Sequence, residues 1–80
     1  MGDELEAKVR ALIAATFQVP AASVTHQSSK ETFPAWDSFA TLHLASAIET
    51  ELGVSFTVDE VSELTSVERI LTMLRAKGAP

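Results

Sequence analysis

The sequence contains no cysteine, so it can form neither a disulfide framework nor a thiolate metal site. This fits a reducing compartment, with the cytoplasm as the expected location. Basic residues are few: Lys and Arg total 6 against 11 Asp and Glu, for a net charge of -5. A nucleic-acid binder needs a basic face to meet the phosphates, so that class is excluded and basic protein partners are expected. No apolar run approaches the roughly 20 residues that cross a bilayer, and no N-terminal basic, apolar and cleavage-site series marks an exported chain. Only 2 histidines are present; they lack H-E-x-x-H spacing and the acids do not form an EF-hand loop, so no metal site is expected. Internal repeats, low-complexity tracts and strand-like alternation are also missing, which leaves helices as the building material.

The 80 residues, with 46% hydrophobic and 21% charged composition, fit one domain spanning 1–80, taken as a monomer. A chain of this size buries only about 60% of its unfolded surface, so the core is thin. From Asp3 to Phe17, the apolar residues Leu5, Val9, Leu12, Ile13 and Phe17 fall on one helical face, and Asp3 with Glu6 has capping-box spacing. From Ser38 to Leu52, a second stripe is read at Leu42, Ala45, Ile48 and Leu52. Leu44 lies off it, so either this helix is buried on more than one side or Leu44 meets the outside. Gly53 stands where a left-handed C-cap is needed.

A last helix covers Ser66 to Lys77 through Val67, Ile70, Leu71 and Leu74. Thr65 and Glu68 form its expected capping box, Arg75 and Lys77 face its negative end, and Gly78 stops it. Before it, Thr57 and Glu60 also have capping-box spacing, with Val58, Val61 and Leu64 filling a turn or two of helix. The predicted fold is all-α, a small bundle of three main helices plus a short third one. The connection from Gln18 to Trp36 is long for such a bundle. Val19, Val24, Phe33 and Trp36 can pin it, Pro20 and Pro34 restrict its ends, and Trp36 anchors it beside Ser38.

Asp37-Ser38-Phe39 opens the second helix. Asp and Ser are ordinary cap residues, and a plain helix start accounts for them. The place also suits modification, because a phosphate ester on Ser38 would sit at the positive end of the helix dipole. A hydrolase is excluded on geometry: five residues along a helix set Ser38 and His43 roughly 140° apart, and His26, in the loop, has no acid partner identifiable in the sequence. Without a base the hydroxyl is a poor nucleophile, so no catalytic residue is assigned and both histidines are read as surface residues.

Trp36-Asp37-Ser38-Phe39, then Leu42, Leu44, Ile48, Glu49, Glu51, Leu52, Gly53 and Val54, then Phe56, Asp59, Glu60, Leu64, Thr65, Ser66, Val67 and Ile70, together resemble the acyl carrier protein family. The likeness runs nearly without gaps from Ser38 to Leu74 and covers almost the whole chain. It implies that Ser38 receives 4′-phosphopantetheine from coenzyme A, through a separate phosphopantetheinyl transferase. It also implies that Asp37 helps place the metal and coenzyme A during that transfer, and that the arm's thiol then carries acyl groups between acyl-loading and acyl-processing enzymes.

Phe39 stands where the family usually has leucine. His43, Ser46 and Thr50 occupy positions where many fatty-acid carriers have acidic or larger apolar residues. These departures, with the Trp-Asp-Ser form and the free-standing length, point to polyketide or other specialised biosynthesis. An aminoacyl or D-alanyl carrier is the alternative within the class, and an unmodified helical interaction module the alternative outside it. Expected partner contacts are Phe39, Leu42, His43, Ser46, Glu49, Phe56, Asp59 and Glu60. The acids Glu49, Glu51, Asp59, Glu60 and Glu63 serve either as docking charges or as ordinary solvated surface. Phe39 and Leu42 can meet a partner, and Phe56, Val61 and Leu64 can line a cleft sheltering a short acyl chain. For each of these five, a core role weighs more in so small a domain.

Overall fold

The computed structural model describes residues 4–34 and 36–78; the expected Asp3 cap lies outside them. Helix α1, Glu4–Phe17, buries Leu5, Val9, Ile13 and Ala14, the face read from the sequence. It ends with Gln18 in the left-handed region at φ 57°, while the Val19 N–H reaches back to the Ala14 carbonyl at 3.0 Å. This is a Schellman closure on a residue other than glycine. Helix α2 runs Ser38–Leu52 and stops at Gly53, whose φ of 68° lies in the left-handed region that favours glycine. Helix α3 is the single turn Val58–Val61, and α4 is Val67–Ala76, burying Val67, Ile70, Leu71 and Leu74. The predicted all-α bundle is what forms: α1 packs against both α2 and α4, and α3 lies on α2. Among the described residues the only extended pairing is an isolated bridge, Ser29 to Ser66.

That bridge corrects the start of α4. Thr65 accepts the Lys30 N–H on its carbonyl at 2.9 Å, and the Val67 N–H donates to the Ser28 carbonyl at 3.0 Å, so Thr65 belongs to the extended pair. Ser66 takes the cap instead, its hydroxyl accepting from the Arg69 N–H, and the expected Thr65–Glu68 box does not form. The α3 box does form: Thr57 Oγ1 accepts from the Glu60 N–H and the Glu60 carboxylate accepts from the Thr57 N–H.

The α2 stripe is also corrected. Leu44, Ala45 and Ile48 are buried, whereas Leu42 is 58% exposed. Leucines at 42 and 44 point roughly 160° apart on a helix; Leu42 is in step with Ala45 at i+3, and Leu44 with Ala47 and Ile48 at i+3 and i+4. The packing against α1 selects Leu44. Phe39, at 70% exposure, likewise stays out of the core. Leu64 is fully buried, and Phe56 and Val61 pack partly against the core, as their core reading required.

The long connection is anchored at several points. It contains one 3-10 turn, Ala21–Ser23, which the sequence reading did not separate from the loop. Val24 and Trp36 are buried, and Val19 and Phe33 pack against the core. The Phe17 ring lies 5.5 Å from both Phe33 and Trp36, and Trp36 Nε1 donates to the Leu64 carbonyl at 3.1 Å. Arg10 donates to the Val24 carbonyl at 3.0 Å. His26, expected without an acid partner, has two: Nδ1 is 3.0 Å from Glu6 on α1 and Nε2 is 3.4 Å from Glu68 on α4. It is a surface residue, but one that ties the loop to two helices.

Candidate functional site

The site begins with the cap of α2. Asp37 is extended, and its Oδ1 accepts from the Ala40 N–H at 2.8 Å. That bond fixes where the helix starts and puts Ser38 in its first turn, where the leading amides have no partner within the helix. Ser38 is exposed. Two residues before it, Trp36 is only 3% exposed and held by the Leu64 carbonyl. The serine therefore rides on a rigid support although it follows a long loop.

Ser38 and Asp37 stand at the rim of a cleft of about 600 Å³ between α2, α3 and the loop. Its walls are largely apolar, from Trp36, Leu42, Phe56, Val58 and Val61. Leu64, expected there, lies wholly inside the core instead. Val58 is 87% exposed, so apolar surface continues from the cleft to the outside. Phe39 and His43 are paired on the outer side of α2, ring centroids 4.8 Å apart, edge to face. His43 is thus a packing partner of Phe39 rather than a base for Ser38.

Two of the expected contact acids have structural duties. Glu49 Oε2 accepts the Phe56 N–H at 2.8 Å, which fixes the link between α2 and α3. Glu60 is held by Lys77 at 2.9 Å, and the same ammonium lies 5.6 Å from the centre of the Phe56 ring. The Lys77 hydrogen bond, followed by the Thr57 N–H, holds the Glu60 carboxyl below its ordinary range. Asp59 and Ser46 remain exposed. Among the described residues no group of three possible metal ligands assembles, and no helix is long and apolar enough to cross a membrane.

The structure therefore brings Asp37, Ser38, Leu42 and Phe56 to one cleft, with Phe39 and His43 on the adjoining outer face. It adds Lys30, Thr41, Val58, Ser62 and Thr65 to the lining. Val58, Thr65 and the turn between them were legible as elements, not as walls. Lys30 gave no signal, because nothing in local spacing tells that a loop residue well before the serine folds back to the same cleft.

The chemistry open to this arrangement is that of an exposed hydroxyl without a placed base, at a helix start that tolerates an added anion, beside an apolar recess. Residues 7–74 match the family described as "Phosphopantetheine attachment site". Two curated relatives, each called acyl carrier protein, come from two strains of Treponema pallidum, one of them the Nichols strain. Each is 33% identical over 75 residues, covering 94% of this chain and 96% of the relative.

Proposed function

This chain belongs to the phosphopantetheine-dependent acyl carrier protein family, and from that premise we propose that Ser38 is the attachment point and that the carrier serves polyketide or other specialised biosynthesis. The protein is a carrier and not an enzyme, and its cofactor is covalently attached 4′-phosphopantetheine. When bound, the cofactor supplies a terminal thiol that holds an acyl group as a thioester.

The observation that carries the assignment to Ser38 is its exposure in the first turn of α2, at the rim of an apolar cleft. The residues fit the group: the amides of that turn and the helix dipole favour a phosphodiester, and the recess beside it suits an apolar chain. In the modification, the Ser38 oxygen bonds to the phosphorus that carries the pantetheine. The bond to the nucleotide half of coenzyme A breaks, adenosine bisphosphate leaves, and the serine proton passes to a base of the transferase. Asp37 contributes twice. One carboxylate oxygen caps the helix, and the other, without a partner among the described residues, faces the transferase and its metal.

The pathway reading is supported by the outer face of α2. Phe39, His43 and Ser46 present an aromatic and hydroxyl surface, while Glu49 and Glu60 are occupied within the chain. Partners that dock here meet apolar surface first, with Asp59 and Glu51 as flanking charge; the partners are the transferase and acyl-loading and acyl-processing enzymes. The carrier acts as a single domain and a monomer in the cytoplasm. Its work is tethering, which raises the local concentration of a bound intermediate at each partner's site.

Incubation with coenzyme A, magnesium and a broad-specificity phosphopantetheinyl transferase, followed by intact mass, tests the attachment. Wild type gains one arm and Ser38→Ala gains none; equal gain by the variant would refute the assignment. Loading the modified protein with malonyl, simple acyl and aminoacyl donors then tests the pathway, and preferential aminoacyl loading would move the carrier to the other subclass.

A further inference from the structure

We propose that Lys30 is the counter-ion of the phosphodiester at Ser38, and that this pairing turns the arm toward the cleft between α2 and α3. The inference rests on Ser38 being the attachment point. Three other cations are occupied by carboxylates: Arg10 by Glu6, Arg69 by Glu63 and Lys77 by Glu60. Lys30 has no ion pair among the described residues, in a chain of net charge -5, yet it lines the same cleft as Ser38.

Its backbone is firmly placed. The Lys30 N–H donates to the Thr65 carbonyl at 2.9 Å, beside the Ser29–Ser66 bridge, so the loop presents this residue at a fixed point while the ammonium is free to seek a partner. Apart from Asp37, the other lining residues are apolar or carry hydroxyls.

A phosphodiester esterified to Ser38 bears one negative charge at that rim. The Asp37 carboxylate repels it, the first-turn amides attract it from the α2 side, and Lys30 attracts it from the loop side with a charge-assisted hydrogen bond. Held at that end, the rest of the arm leaves along the apolar wall. A carboxylate on the cargo is a poorer match for Lys30, because it would lie an arm's length from Ser38, whereas the phosphate is always at the rim.

The test uses wild type, Lys30→Gln and Lys30→Arg, each converted with coenzyme A, with intact mass confirming the arm and Ser38→Ala as its control. Phosphorus NMR of the phosphodiester and the Lys30 Nζ resonance are then recorded before and after conversion. The Lys30 signal is expected to move on conversion, and the phosphorus resonance of Lys30→Gln to differ from wild type. Lys30→Arg restores the wild-type resonance, and about 0.5 M sodium chloride erases the difference. Nuclear Overhauser contacts from the arm to Phe56 and Val61 fall about two- to fivefold in Lys30→Gln, the range for an exposed ion pair.

Identical phosphorus resonances and contacts in wild type and Lys30→Gln, with the arm confirmed by mass, would overturn the proposal. So would a Lys30 signal that moves only after malonyl loading, which would give the cation to the cargo. Absence of the mass gain is a separate result, and refutes the attachment at Ser38 instead.

Discussion

Leu42 and Leu44 show what a side chain's direction means on the helix that begins with Ser38. Leu44 is fully buried, and Leu42 is 58% exposed on the wall of the cleft. Leu44→Ala removes buried methyl groups and leaves a cavity, so it should destabilise the fold by about 2–5 kcal/mol. Leu42→Ala should change stability by no more than about 0.5 kcal/mol, while weakening the wall that a cargo or partner meets. Urea unfolding of both variants checks the contrast, and a similar loss for the two would contradict the orientation of α2. The sequence could not decide it by spacing alone, since Leu42 is in step with Ala45 and Leu44 with Ala47 and Ile48. The same holds for Phe39, whose apolar character argued for burial although its place in the first turn points it outward.

Among the elements, α3 depends most on its surroundings. A helix of one turn, Val58–Val61, has almost no stability of its own. It is held by its capping box, by Glu49 on the Phe56 N–H and by the Lys77 contact to Glu60. Because the folded Glu60 carboxyl is held below its ordinary value, its contribution is present above the unfolded value and is lost as pH falls through the folded one. Lys77→Met should therefore lower the urea midpoint near pH 7, and the gap to wild type should narrow as pH falls below the ordinary carboxylate range. A gap independent of pH would mean that Lys77 acts through its contact with the Phe56 ring alone. The box itself was readable, since Thr57 and Glu60 have the required spacing. The Lys77 partner was not, because nothing local relates residues 17 apart. The Ser66 cap was missed for a similar reason: the Ser29–Ser66 bridge, set by distant pairing, shifts the start of α4 by one residue.

At the level of the whole molecule, the sequence disclosed the all-α plan and the apolar faces of α1 and α4, because their periodicity is local and their caps are chemically marked. It disclosed the Asp37 cap and the place of Ser38 in the first turn of α2 for the same reason. What stayed hidden comes from the path of the connection between α1 and α2, which brings Lys30 to the cleft and sets His26 between Glu6 and Glu68. Irregular backbone carries no period from which such encounters can be read.

The buried indole of Trp36 also has an optical consequence. It is the single tryptophan of a chain without tyrosine, and it faces the cleft beside Ser38. Its emission therefore reports on one spot. Loading the arm with an acyl chain that enters the cleft should shift the emission maximum or its quenching by iodide, whereas a chain left in solvent should change neither. The molecule carries its own fluorescent gauge of where its cargo rests.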